Sequence, residues 1–202
     1  MALLRTLRLS VLRLCAPWQP LLWQALLCGA LAIVLGPRGV LSAEAPTEYQ
    51  VKAVFVFNFS RFVEWPAQAF TAPTQPFAIC ILGDDPFGPR LDEAVRGEQI
   101  NQHPLLVRRF RSVGEAGDCQ ILYIDRSEGR ELPQILAALD HRSTLTVSEL
   151  NDSAERGGMI QFMTENNRIR LRINVDSARA AGLTISSKLL RPAEIVGTRG
   201  GS

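Results

Sequence analysis

The segment Tyr49–Pro66, YQVKAVFVFNFSRFVEWP, constrains the fold more than any other run in the chain. It carries four phenylalanines and four valines beside Lys52, Asn58, Arg61 and Glu64. At about 100° per residue, Phe55, Phe59 and Phe62 fall within roughly a 60° arc, the stripe of an α-helix. Gln50, Asn58 and Arg61 share a narrow polar arc. The rest of the circumference is apolar, which predicts a helix buried nearly all round. Thr47, after Pro46, is the expected N-cap. Pro66 disfavours helical geometry at Trp65, so the helix is expected to stop near Val63.

Downstream, short apolar runs alternate with helical patterns. Phe77–Leu82, Leu105–Phe110, Cys119–Ile124 and Thr144–Val147 read as strands. Pro89–Val95 and Glu128–Leu139 read as helices, the second capped by Ser127 with Pro133 awkwardly inside its first turns. Strand–helix alternation argues for parallel strands with right-handed crossovers. CQILYI is apolar throughout, as a central strand buried on both faces must be. Ser148–Arg156 reads as helix or loop, broken by Gly157-Gly158. Met159–Met163 and Arg168–Asn174 flank Asn166-Asn167 as an antiparallel hairpin. Val175–Gly182 reads as a helix, and Ile185–Leu190 packs the tail back. The expected fold is α/β, a three-layer sandwich with a mixed, mostly parallel sheet and a C-terminal hairpin.

The first 43 residues read as an export signal. Arg5, Arg8 and Arg13 precede the apolar run Leu21–Leu35, and Leu41-Ser42-Ala43 is a small-residue approach to cleavage near Ala43. Fifteen apolar residues fall short of the roughly twenty that span a bilayer. A single periplasmic domain, residues 44–202, is then expected. Its 159 residues suffice for a real core. Losing four arginines and no acid leaves 18 basic against 20 acidic residues, a net charge of −2. Nothing here favours nucleic acid, which needs a clustered basic face. Of the four cysteines, Cys80 and Cys119 outlast the leader. An exported pair is expected to form a disulfide, closing a loop of about 40 residues with roughly 4 kcal/mol of chain-entropy stabilisation. Parallel neighbours in register would hold the two too far apart, so two buried thiols are the alternative.

Ligands of open α/β sheets bind beyond the carboxyl ends of the parallel strands. Three loops meet that condition: Gly83–Gly88, Asp125–Glu128 and Ser148–Glu149. They bring Asp84, Asp85, Arg126, Ser127, Glu128, Ser148 and Glu149 toward one edge, with Arg126 the candidate anion partner. Ordinary turn and capping chemistry accounts for the same residues. GDDPFG lacks the glycine spacing of a dinucleotide loop. The only histidines are His103 and His141, with no Gly-x-Ser-x-Gly elbow and no clustered ligands. No catalytic residue, metal or cofactor is therefore expected. Arg168, Arg170 and Arg172 share one face of the last hairpin strand, a basic stripe open to a partner.

Four segments carry a resemblance: the opening helix, ILGDDPFG (Ile81–Gly88), GGMIQFMTENNRIRLRIN (Gly157–Asn174) and AGLTISSKLLRPAE (Ala181–Glu194). In this order they resemble the YfiR-like family of periplasmic proteins, over roughly residues 48–193. The resemblance implies a non-enzymatic repressor that binds the periplasmic region of an inner-membrane diguanylate cyclase. It also implies a homodimer and capture by an outer-membrane lipoprotein. A second reading is a small-ligand-binding sensor module, its ligand held in the strand-end crevice.

Overall fold

The computed structural model describes residues 47–197. The expected leader lies outside them. Helix α1 (Glu48–Phe62) begins at Thr47, whose side chain accepts from the Gln50 amide while Gln50 answers to the Thr47 amide. This capping box satisfies two otherwise orphaned donors. The chain leaves the helix through Val63, three residues before Pro66, as expected.

The core is an eight-stranded sheet built from β2 (Phe77–Leu82), β3 (Gln99–Ile100), β4 (His103–Phe110), β5 (Ile121–Ile124), β6 (Leu145–Ser148), β7 (Ile160–Glu165), β8 (Arg168–Asn174) and β10 (Glu194–Val196). Their spatial order is β10-β8-β7-β6-β5-β2-β4-β3. β2, β4, β5, β6 and β7 run parallel, and β3 and β8 return antiparallel to β4 and β7. A separate pair joins β1 (Val63–Glu64) to β9 (Thr184–Ile185), tying the end of α1 to the C-terminal segment. The short strands β1, β3, β9 and β10 have no alternating pattern of their own; tertiary pairing makes them.

Side chains of β2 alternate between two cores. Phe77, Ile79 and Ile81 face one, with α1, α2 (Pro89–Val95), α4 (Val175–Ala180) and α5 (Ser187–Leu190); Ala78, Cys80 and Leu82 face the other, with α3 (Leu132–Ala138). The result is the three-layer α/β sandwich with its antiparallel β7–β8 hairpin. Asn166 and Asn167 turn that hairpin with φ of 48° and 59°, the left-handed pair a type I′ turn requires.

Three expectations need correction. α1 is not buried nearly all round. Lys52, Ala53, Val56, Phe59 and Ser60 face the core, while Val54 on the opposite side is 51% exposed and Phe55 and Phe62 are half-buried. A helix laid on a sheet has one covered face, whatever its composition. Ser127 caps no α-helix: Asp125 accepts from its amide at 2.9 Å and caps a 3₁₀ turn, Arg126–Glu128. α3 starts later, so Pro133 sits in the first turn, where its missing N–H has no intrahelical partner to lose. Cys119 is not a strand residue. The chain bends at Gln120, and Cys119 lies beneath the sheet beside Cys80, with a Cα–Cα distance of 5.9 Å across their disulfide. The bend removes the register objection.

Candidate functional site

The carboxyl ends of β2, β4, β5 and β6 do converge, and so do their loops. Gly83 (φ 91°) lets the loop after β2 press against the loop after β5; a Cβ there would stand 2.5 Å from Ser127 Oγ. Ser127 Oγ accepts from the Asp84 amide at 3.2 Å and lies 3.4 Å from Glu128 Oε1.

The predicted residues then divide. Asp85 is turn chemistry: its Oδ1 accepts from the Phe87 and Gly88 amides, and its Oδ2 accepts from Arg109 Nε at 2.7 Å. Asp84 accepts from Arg111 at 2.6 Å on open surface. Ser148 turns away from the crevice, donating to Ser153 Oγ at 2.7 Å in the interior. Only Arg126 and Glu149 enter a shared polar centre.

That centre is built around Glu149, whose side chain is 1% exposed. Its Oε1 accepts from the Tyr123 hydroxyl at 2.9 Å and lies 3.0 Å from Lys52 Nζ. Its Oε2 accepts from Arg126 at 2.8 Å and from the Tyr49 hydroxyl at 3.4 Å. Lys52 is also 1% exposed and pairs with Glu48 one helical turn back; Glu48 accepts in turn from Thr164 Oγ1 at 2.7 Å. Phe162 and Tyr49 offer ring faces to the ammonium. A buried carboxylate survives only with such saturation. Burial pushes the Tyr123 hydroxyl far above its ordinary range, and the neighbouring Glu149 charge adds to it; Tyr49 is raised in the same way. The Lys52 hydrogen bond, then that of Thr164, holds Glu48 below the usual carboxylate range. Lys52, Tyr49 and Tyr123 escaped the sequence reading as site residues. The available signal was a lone lysine in the covered arc of an apolar helix.

The arginine stripe is uneven. Arg168 and Arg170 are exposed. Arg172 is largely covered and meets Glu194 at 3.1 Å, Glu155 at 3.3 Å and Asp152 at 4.0 Å. β10 lies along β8, so the arginines do not guard a sheet edge there.

A wider cleft of about 720 Å³ opens between Trp65, Phe70, Ile100 and His103. Two of its polar side chains are already engaged: the Trp65 indole donates to Gln120 O at 3.1 Å, and His103 stacks on Phe70 with Nδ1 2.6 Å from Gln75 O. His141 is exposed and pairs with Asp140. Among the described residues no cluster of His, Cys, Asp or Glu is placed to hold a metal, and no helix is long and apolar enough to cross a membrane.

The model of the YfiR/HmsC-like family matches residues 49–194, from the second residue of α1 to the start of β10. The chain belongs to the YfiR/HmsC-like family. Membership implies a periplasmic regulator of diguanylate cyclase signalling. No curated protein matches the chain. All four resembling segments fall inside the YfiR/HmsC-like match, which also takes in Lys52, Tyr123, Arg126 and Glu149.

Proposed function

We propose that this YfiR/HmsC-like protein is a periplasmic repressor that docks on the periplasmic region of an inner-membrane diguanylate cyclase. Export removes residues 1–43, and the domain of residues 44–202 works as a homodimer. Docking holds the cyclase in its inactive arrangement, lowering cyclic-di-GMP and biofilm formation. Capture by an outer-membrane lipoprotein would relieve it.

The family match over residues 49–194 carries this reading. One structural feature supports it. The Cys80–Cys119 disulfide suits an oxidising compartment. The outer face of α1 exposes Val54, beside the half-buried Phe55 and Phe62 that pack against the core. Repression needs only differential affinity for the cyclase's inactive state. About 5.5 kcal/mol of preference moves a two-state equilibrium from 1:99 to 99:1.

The test is co-purification of the exported protein with detergent-solubilised inner-membrane proteins. Recovery of a membrane diguanylate cyclase is expected with the wild-type chain and lost with Val54→Arg. Retention of the cyclase by Val54→Arg would remove the α1 face from the account, and failure to recover any cyclase would remove the docking itself.

A further inference from the structure

A cleft of about 380 Å³ opens where β6 and β7 separate. β6 pairs with β7 only at Val147–Ile160 and Ser148–Gln161. β7 continues to Glu165, paired there on its other side by β8. The Asn174 amide donates to Met159 O at 2.9 Å, which sets the phase of the antiparallel ladder. Alternate residues of β7 therefore direct both backbone groups to β8, and Ile160, Phe162 and Thr164 direct theirs to the β6 side. Beyond Gln161 no strand among the described residues occupies that side. The Phe162 and Thr164 peptide groups thus border the cleft with donors and acceptors both.

Well-covered side chains in the wall of the cleft have donor capacity to spare. Gln161 is 4% exposed; its Oε1 faces the Ala154 amide, and its Nε2 has no partner among the described residues. Lys52 lines the cleft, donates to Glu48 and lies 3.0 Å from Glu149 Oε1, with N–H capacity to spare. Arg172, in the same wall, keeps a buried Nε without a partner. An acceptor on a ligand would satisfy these donors.

The charges narrow the class. Lys52 and Arg126 are both absorbed by Glu149, and Arg172 meets three acids. Glu165 adds a further carboxylate at the rim. In the lining, Lys52, Arg126 and Arg172 stand against Glu149, Asp152 and Glu165, three charges of each sign, so the cleft favours neither an anion nor a cation. A neutral group with a strong acceptor and a weak donor satisfies both the side chains and the open β7 edge. That group is an amide.

We propose that this cleft binds a small uncharged amide, presented by an acetamido sugar or a short peptide. Its volume lies at the lower end of ordinary ligand pockets. The site is independent of the repressor reading, because binding requires no cyclase.

The test is NMR titration of the purified exported chain with N-acetylglucosamine, with N-acetylalanine methylamide and with acetate. At least one neutral amide is expected to bind with a dissociation constant on the order of 10 mM or tighter, perturbing the Phe162 and Thr164 backbone amides. Binding of the sugar alone assigns an acetamido sugar, and binding of the blocked amino acid alone assigns a peptide. Gln161→Glu keeps the acceptor for Ala154 and replaces the donor. It should weaken binding about tenfold, the loss of one hydrogen bond. Gln161→Met repeats the measurement if Gln161→Glu does not fold. Binding of neither amide, equal binding of acetate, shifts clustered away from β7, or unchanged affinity in a folded Gln161 variant would each overturn the proposal.

Discussion

Replacing Lys52 with methionine tests whether the Glu149 centre holds α1 to the sheet. Lys52 Nζ lies 3.0 Å from Glu149 Oε1, and both side chains are 1% exposed. Methionine keeps most of the stem's volume and removes the charge. Breaking a fully buried pair costs about 3–5 kcal/mol. Glu149 would still hold Arg126 at 2.8 Å and the Tyr123 hydroxyl at 2.9 Å, which places the expectation at the low end, about 3 kcal/mol. With a urea m-value of about 2 kcal/mol/M, the unfolding midpoint should fall by about 1.5 M. Glu149→Gln orphans less, because Lys52 retains Glu48. The double variant leaves no lone buried charge, so its loss should undercut the sum of the singles by about 1–3 kcal/mol. A Lys52→Met midpoint within about 0.3 M of wild type, or strict additivity in the double variant, would refute the pair's structural role.

Three further outcomes follow from the same geometry. Tyr123 and Tyr49 have hydroxyls raised above the ordinary value of 10.0, so the unfolded chain loses those protons first. Stability is then intact below pH 10 and declines as pH climbs beyond it; Tyr123→Phe should flatten that alkaline decline, and an unchanged slope would contradict it. Replacing both Cys80 and Cys119 by alanine opens a loop closed across 39 residues and should cost about 4 kcal/mol by chain entropy, read in urea; a loss under about 1 kcal/mol would mean the bridge does not constrain the unfolded chain. Asn167 sits at φ 59°, so Asn167→Val should lower stability by about 1–2 kcal/mol while Asn167→Gly leaves it level or higher; the reverse order would deny the type I′ turn.

Much of the architecture was legible because local pattern and tertiary demand agree. β2 and β5 are apolar at every position, and the structure buries them on both faces. The Asn-Asn turn and the Thr47 cap are local chemistry, readable without any partner. The errors arose where the deciding partner is distant in sequence. Cys119 looked like the start of a strand until the bend at Gln120 set it under Cys80. The largely apolar wheel of α1 implied burial nearly all round, yet a single sheet face covers it. Arg172 belonged to an alternating stripe, but Asp152, Glu155 and Glu194 gather on it from two other segments. The site was half legible. Strand-end topology pointed to Arg126 and Glu149, whereas Tyr49 and Tyr123 lie within apolar runs that betray nothing of their polar tips, and Lys52 was marked only by its isolation in the covered arc of an apolar helix. Asp84, Asp85 and Ser148 stood at the right strand ends, but Asp84 pairs with Arg111 on open surface, Asp85 holds its own turn and Ser148 points into the interior.

The repressor account meets its most direct test in cellular cyclic-di-GMP, measured after deletion of this chain and after its restoration. Repression predicts that the dinucleotide rises on deletion and returns to its former level when the exported wild-type protein is supplied again. A level indifferent to the deletion, in cells where a membrane cyclase is active, would contradict the account.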